Sequence, residues 1–413
     1  MVAQSIFGAF LLGLTYTVLA TPTTAQKGDY VNWRKFHANG VNLGGWLAQE
    51  ATIDPYWWGQ YCKGTVDEWN CCVQLGDQCN AVFDQRYATF ITTKDIDKLA
   101  SGGVNLIRIP TTYAAWVKFP GVGYHSGNQQ KYFKQVADYA IRKYGMHVVL
   151  DLHSLPGGVN GLDIGEVSRS LRLESGQILI PTQRVGKWDW FNNQTNFNRS
   201  LQVVDAALQF IQNSGSPQSY SFSSINEPAD NPDFSKFGTP AALSDNGAAW
   251  VLKYFNAVIA HVKAVNCKIP VALQGSFKGE PFWSGNFTPN TNIVFDVHNY
   301  YFGRPSDPNN VTSLMCADAK KLAGDGKFPV FVGEWAIQTS VNNTFANRAK
   351  ILNTGLYAYN TFTQGNAYWT AKFLGNVTVQ GQGTQSAYWN YESFIDMGII
   401  DEKQGKQYCS CDG

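Results

Sequence analysis

The chain has 413 residues, of which 44% are hydrophobic, 14% aromatic and 15% charged, which is ample for a large buried core. The formal net charge is +1, so there is no electrostatic case for a nucleic acid or an anionic membrane as partner. Low charge with 13 Trp, 20 Tyr and 25 Phe suits a neutral ligand whose C–H faces stack on aromatic rings.

In chain order, residues 1–20 are nearly all apolar or small, and Val18-x-Ala20 offers a small-residue cleavage site. The run is too short and too broken to span a bilayer, so it predicts a secretory signal peptide, with cleavage as late as residue 25. Secretion also fits eight cysteines, Cys62, Cys71, Cys72, Cys79, Cys267, Cys316, Cys409 and Cys411, whose spacing points to disulfides rather than zinc. It fits Asn-x-Ser/Thr sequons at Asn193, Asn198, Asn286, Asn310, Asn342 and Asn376 as well. The expectation is a secreted, extracellular or cell-wall protein, monomeric, with no membrane and no nucleic-acid partner.

Strand-like runs follow at 40–47, 104–110, 147–153, 220–228, 270–277, 292–301, 328–335 and 366–373. Helical spacing of apolar residues appears at 93–100, 129–144, 201–212, 248–265 and 345–361. This alternation predicts a parallel sheet, and eight units over this length predict an α/β (β/α)8 TIM barrel in a single domain over 28–413. No Gly-x-Gly-x-x-Gly fingerprint follows the first strand, which weakens a dinucleotide-binding reading. Residues 48–92 hold four of the cysteines and predict a disulfide-pinned loop. Within the long connection 154–195, the polar, basic stretch 167–184 predicts a flap or a disordered segment.

Two stretches place a glutamate directly after an apolar run: Ser224-Ile225-Asn226-Glu227-Pro228 and Val330-Phe331-Val332-Gly333-Glu334-Trp335. An unpaired carboxylate does not belong inside a buried strand, so each is expected at a strand's carboxyl end, facing a cleft. Two such carboxylates are the minimal machinery for hydrolysing a glycosidic bond; the plainer reading is that each pairs with a nearby cation. The same strand-end rule nominates Glu50, Arg108, His153, Asn226, His298, Tyr300 and Trp369. No ligand spacing supports a metal, and no cofactor is expected.

Here the residues resemble a known family. Asn42-Leu43-Gly44-Gly45-Trp46-Leu47 with Glu50, Arg108-Ile109-Pro110 with Tyr113, and Leu150-Asp151-Leu152-His153 resemble the fungal exo-β-1,3-glucanases of glycoside hydrolase family 5. Asn226-Glu227-Pro228, His298-x-Tyr300, Gly333-Glu334-Trp335 and Tyr368-Trp369 extend the resemblance to about residue 400. It implies a (β/α)8 barrel and a retaining double displacement, with Glu227 as proton donor and base and Glu334 as nucleophile. It further implies that Glu50, Arg108, His153, Asn226, His298, Tyr300 and Trp369 bind substrate or orient the carboxylates. The match is incomplete on the leaving-group side. Leu162 and Gly303 stand where that group carries two clamping phenylalanines, and Ala114 and Ala371 replace further aromatics. Exo-acting cleavage of β-1,3-glucan is therefore the first expectation. A rutinosidase-like diglycosidase acting on plant glycosides is the alternative, followed by an endo-β-1,6-glucanase. Outside enzymes, the alternative is a carbohydrate-binding wall protein.

Overall fold

The computed structural model describes residues 28–164, 166 and 188–409. The expected signal peptide, the stretch 167–184 and Cys411 lie outside the described residues. Eight parallel strands close into a barrel in sequence order. They are β1 (Ala38–Asn42), β2 (Leu106–Thr111), β3 (His147–Leu152), β4 (Tyr220–Ser223), β5 (Val271–Gln274), β6 (Ile293–His298), β7 (Val330–Trp335) and β8 (Gly365–Tyr368). Each strand is nearly or wholly buried, because the barrel interior covers one face and the helices the other. Helices Thr93–Ser101, Gln129–Tyr144, Gln194–Gln212, Asp245–Asn266, Val311–Leu322 and Arg348–Phe362 supply most of that outer layer.

Alternate residues of a strand point to one face, so the barrel interior is built in layers. The lower layer is apolar: Ala38, Leu106, Val149, Ala272, Val294, Phe331 and Ala367 pack with Val31 and Trp33, which close the floor. Two residues further along β2, β3 and β6 the layer turns charged, with Arg108, Asp151 and Asp296 all fully buried. On β7 the corresponding residue is Gly333, where a Cβ would sit 1.9 Å from Asp296 Oδ1.

The strands are shorter than the sequence predicts at their carboxyl ends. Residues 43–46, 224–228, 299–301 and 369–373 leave the sheet, Leu47 returns to it in a single bridge to Thr111, and Trp46, Ile225, Tyr301 and Trp369 stay buried in loops over the barrel mouth. Apolar content alone does not distinguish those loops from strand. Helix 129–144 falls where predicted, whereas Gln194–Gln212 starts earlier than 201 because the Asn193 side chain caps it by accepting from Thr195 and Asn196 amides. Disulfides Cys62–Cys71 and Cys72–Cys79 pin the 48–92 excursion, and Cys316–Cys409 ties the carboxyl-terminal helix Glu402–Cys409 to Val311–Leu322.

Candidate active site

The site is assembled around one guanidinium. Arg108, fully buried on β2, donates from Nη1 to Glu334 Oε1 at 2.7 Å and to Asn42 Oδ1 at 3.0 Å. From Nη2 it donates to Asn226 Oδ1 at 2.9 Å, and Asp151 Oδ1 stands 3.1 Å away. Asp296 Oδ2 lies 3.7 Å from Nε. Burial alone would weaken the Arg108 charge, but Asp151, Glu334 and Asp296 outweigh it and hold the guanidinium more firmly protonated than usual. Asp151 shows the reciprocal effect: burial opposes its ionisation, yet Arg108 and His153 keep its carboxyl below the ordinary value.

Glu334 reaches this centre through an irregularity in β7. Phe331 faces the interior, and a regular strand would then send Glu334 to the opposite face. Pairing with β6 runs Asp296 to Phe331 and Val297 to Val332, then jumps from His298 to Glu334, so Gly333 is the extra residue of a bulge. Beyond it, Glu334 turns into the mouth and Trp335 outward against Tyr359. Besides the Arg108 bond, Glu334 Oε2 accepts from the Tyr300 hydroxyl at 2.9 Å. Burial raises the Glu334 carboxyl, His298 and Arg108 pull it back, and Glu227 adds to the rise.

Glu227 follows β4 with a left-handed backbone, φ 44°, which costs a non-glycine residue about 1 kcal/mol and is the kind of strain that collects at functional sites. His298 Nδ1 lies 2.6 Å from Glu227 Oε1 and 3.5 Å from Glu334 Oε2. Burial would depress His298, but Glu334, Asp296 and Glu227 push it up to about 10, which favours the charged ring between the two acidic side chains. The nearest oxygens of Glu227 and Glu334 and a His298 nitrogen all lie within 4.8 Å of one another. This is the one cluster of donors among the described residues close enough to surround a cation. The Arg108 guanidinium against Glu334 and the charged imidazole between the acids both disfavour one there.

The remaining expected residues join the same mouth. His153 donates or accepts at Nδ1 with Asp151 Oδ2, 2.8 Å away, and Asn226 Nδ2 lies 3.4 Å from its Nε2. Trp369, in a cis peptide with Thr370, stacks on the His153 ring at 5.6 Å and 13°. Glu50 shares a small cavity with His153, Thr112, Glu68 and Asp163. The crowded protein around Glu50, then the charges of Asp163, Glu334 and Glu227, raise its carboxyl well above the ordinary range. Tyr300 stacks on Trp389 at 5.4 Å, and half-exposed Phe302 closes against both rings.

Sequence reasoning missed Asn42, Asp151, Asp296 and Trp389 as site residues. A signal for two of them was present: β3 carries Asp151-x-His153 and β6 carries Asp296-x-His298, and a spacing of two puts both side chains on one face of a strand.

Residues 71–374 match the family description "Cellulase (glycosyl hydrolase family 5)". The chain belongs to glycoside hydrolase family 5. Like other members of that family it is a glycosidase. A "Probable glucan 1,3-beta-glucosidase A" of Aspergillus niger is 29% identical over 332 residues, 78% of this chain and 71% of that one. Two crystal structures lie nearer to this family 5 chain. That of the protein named AoRut is 57% identical, with TM-score 0.86, over 91% of this chain and all of that one. That of a rutinosidase from Aspergillus niger is 53% identical, with TM-score 0.85, over 90% of this chain and all of that one.

Proposed function

We infer that this family 5 enzyme is a retaining β-glycosidase of the rutinosidase type, releasing a disaccharide from a glycoside with a flat aromatic aglycone. The observation that carries the substrate class is the 53% identity to a rutinosidase along that protein's whole length, against 29% to the glucan 1,3-beta-glucosidase. Glu334 is the nucleophile and Glu227 the acid and base. Their nearest oxygens lie within 4.8 Å, which suits the roughly 5–5.5 Å carboxyl spacing of double displacement rather than the wide gap that admits a water. Glu334 attacks the anomeric carbon while Glu227 protonates the departing oxygen. Glu227 then takes a proton from water, which displaces Glu334. Arg108 and Tyr300 donate to the Glu334 carboxylate and aim it. Trp369 offers a stacking face to the bound sugar, and Glu50 and Asn226 hydrogen-bond its hydroxyls.

The leaving-group side supports an aglycone over a glucan chain. At Gly303 a side chain would meet nothing within 4 Å. Gly303 lies on an open cleft of about 530 Å³ walled also by Phe302, Arg304, Pro305, Asp307, Asn310 and Val341, and Phe302 joins it to the Tyr300 and Trp389 rings of the mouth. Exo-cleavage of β-1,3-glucan, the first expectation from sequence, becomes the second reading, favoured by the name of the Aspergillus niger relative. Family membership gives no support to a non-enzymatic wall protein. Export is part of the proposal: three disulfides close among the described residues, and Asn198, Asn286, Asn310, Asn342 and Asn376 are exposed. No helix among the described residues is long and apolar enough to cross a membrane.

The test is kcat/KM on rutin and on laminaritriose, side by side. Rutin is expected to win by a large factor; a higher value on laminaritriose overturns the substrate class.

A further inference from the structure

Asp296 is more costly than any role so far given to it explains. It is fully buried on β6, and neither carboxylate oxygen has a hydrogen-bond partner within normal reach. Its company is Arg108 Nε at 3.7 Å and His298 Nε2 at 3.6 Å, and both of those nitrogens also lack a hydrogen bond. The barrel gives up a side chain to hold it, because a Cβ on Gly333 would meet Oδ1 at 1.9 Å. A buried carboxylate held in this way is tolerable only beside charged partners. Arg108 is already shared with Asp151 and Glu334, so His298 has to supply part of that charge.

We propose that Asp296 is a positioning residue for proton transfer: from the floor of the site it faces His298 Nε2 and keeps the opposite ring nitrogen, Nδ1, aimed at Glu227. His298 is thereby flanked by Asp296 on its own strand, Glu227 after β4 and Glu334 on β7, with Arg108 on β2 behind Asp296 and Glu334. Each of the three carboxylates favours the imidazolium, and Asp296 is the one that takes no part in the chemistry. The imidazolium donates to Glu227 and fixes its rotamer between sugar and solvent. On β3, Asp151 faces Arg108 and His153 in the same two-residue pattern, but His153 leads to Asn226 and Trp369 rather than to the acid. The two strands therefore carry one device with two uses.

The inference rests on the assignment of Glu227 as acid and base. In Asp296→Asn the side chain keeps its shape and an acceptor for Nε2–H, but loses its charge. The alkaline limb of the kcat/KM profile is expected to move at least one pH unit toward acid, and glycosides with poor leaving groups to lose about tenfold or more at pH 8. A 2,4-dinitrophenyl glycoside, whose leaving group needs no proton, should lose several-fold less. An unmoved limb with equal loss on both substrates overturns the proposal. Wild-type enzyme provides a second measurement that does not depend on the variant folding. In ¹⁵N-histidine NMR, the ring of His298, identified by its absence in His298→Gln, should be doubly protonated at pH 7, and a neutral ring there also overturns the proposal. Failure of the Glu227 assignment has a separate mark: Glu227→Ala would lose activated and poor substrates alike.

Discussion

Gly333 makes the site possible at the smallest scale. It provides the extra residue that turns Glu334 inward, and its missing side chain leaves room for the Asp296 carboxylate. Gly333→Ala is expected to destabilise the fold by about 1–3 kcal/mol, the usual cost of overpacking, and to lower kcat more than KM, because the displaced group lies under the reacting acids. A wild-type melting curve and unchanged kcat would contradict this. The two proposed roles separate by product stereochemistry. With azide, Glu334→Ala should give an α-glycosyl azide, and Glu227→Ala a β-glycosyl azide from an activated substrate. The same anomer from both variants would refute the assignment.

At the scale of elements, the barrel itself was legible because eight apolar runs alternate with helical spacing, and hydrophobic period is a signal that survives without structure. The strand ends were less legible. Residues 220–228 read as one strand because Ile225 continues the apolar run, but the sheet ends at Ser223 and Ile225 is buried in a loop. The bulge in β7 was invisible for a similar reason: in Val330-Phe331-Val332-Gly333-Glu334-Trp335 no alternation of apolar and polar residues shows which face each one takes. Helix Val311–Leu322 escaped notice because Lys320 and Lys321 and several small residues blur its apolar stripe. Glu50, His153, Asn226, Glu227, His298, Tyr300, Glu334 and Trp369 stand at or beyond strand ends, where a sequence rule can look for them, whereas Asp151 and Asp296, in the layer of Arg108 below the mouth, needed the layering of a closed barrel to be seen. The Cys316–Cys409 link spans a sequence separation of 93 and fastens helix Glu402–Cys409 to helix Val311–Leu322, neither of which supplies a residue of the site. Replacing both cysteines with Ala should lower stability by about 2–5 kcal/mol, seen as an earlier denaturant midpoint, with kcat within twofold. A large fall in kcat would show that the link reaches the site.

Over the whole molecule, several buried groups bias stability toward acid. Burial pushes Glu68 from 4.5 up to about 8 and Glu392 from 4.5 up to about 7. His298, despite burial, is pushed from 6.5 up to about 10 by its carboxylate neighbours. In each case the folded state keeps a proton that the unfolded chain releases, so the contribution is complete below the unfolded value and is lost as pH rises to the folded one. His147 acts the other way: burial lowers it from 6.5 to about 3, and stability is lost as pH falls across that window. Above pH 6.5 nothing in this set opposes the loss. The melting temperature should therefore decline from pH 6 to pH 9, and Glu68→Gln should flatten that decline. A melting temperature that climbs steadily over the same range would contradict the reading.

The guanidinium of Arg108 has a consequence for how the chain comes together. A cut between β4 and β5 leaves Arg108, Asp151, Asn226 and Glu227 on one side, and Asp296, His298 and Glu334 on the other. The amino-terminal piece would keep Arg108 with Asp151 alone of its three carboxylates, and the carboxyl-terminal piece two acids answered by one imidazole. Arg108 meets Asp296 and Glu334, and His298 meets Glu227, only across that cut, so neither half alone can hold Glu227 and Glu334 together.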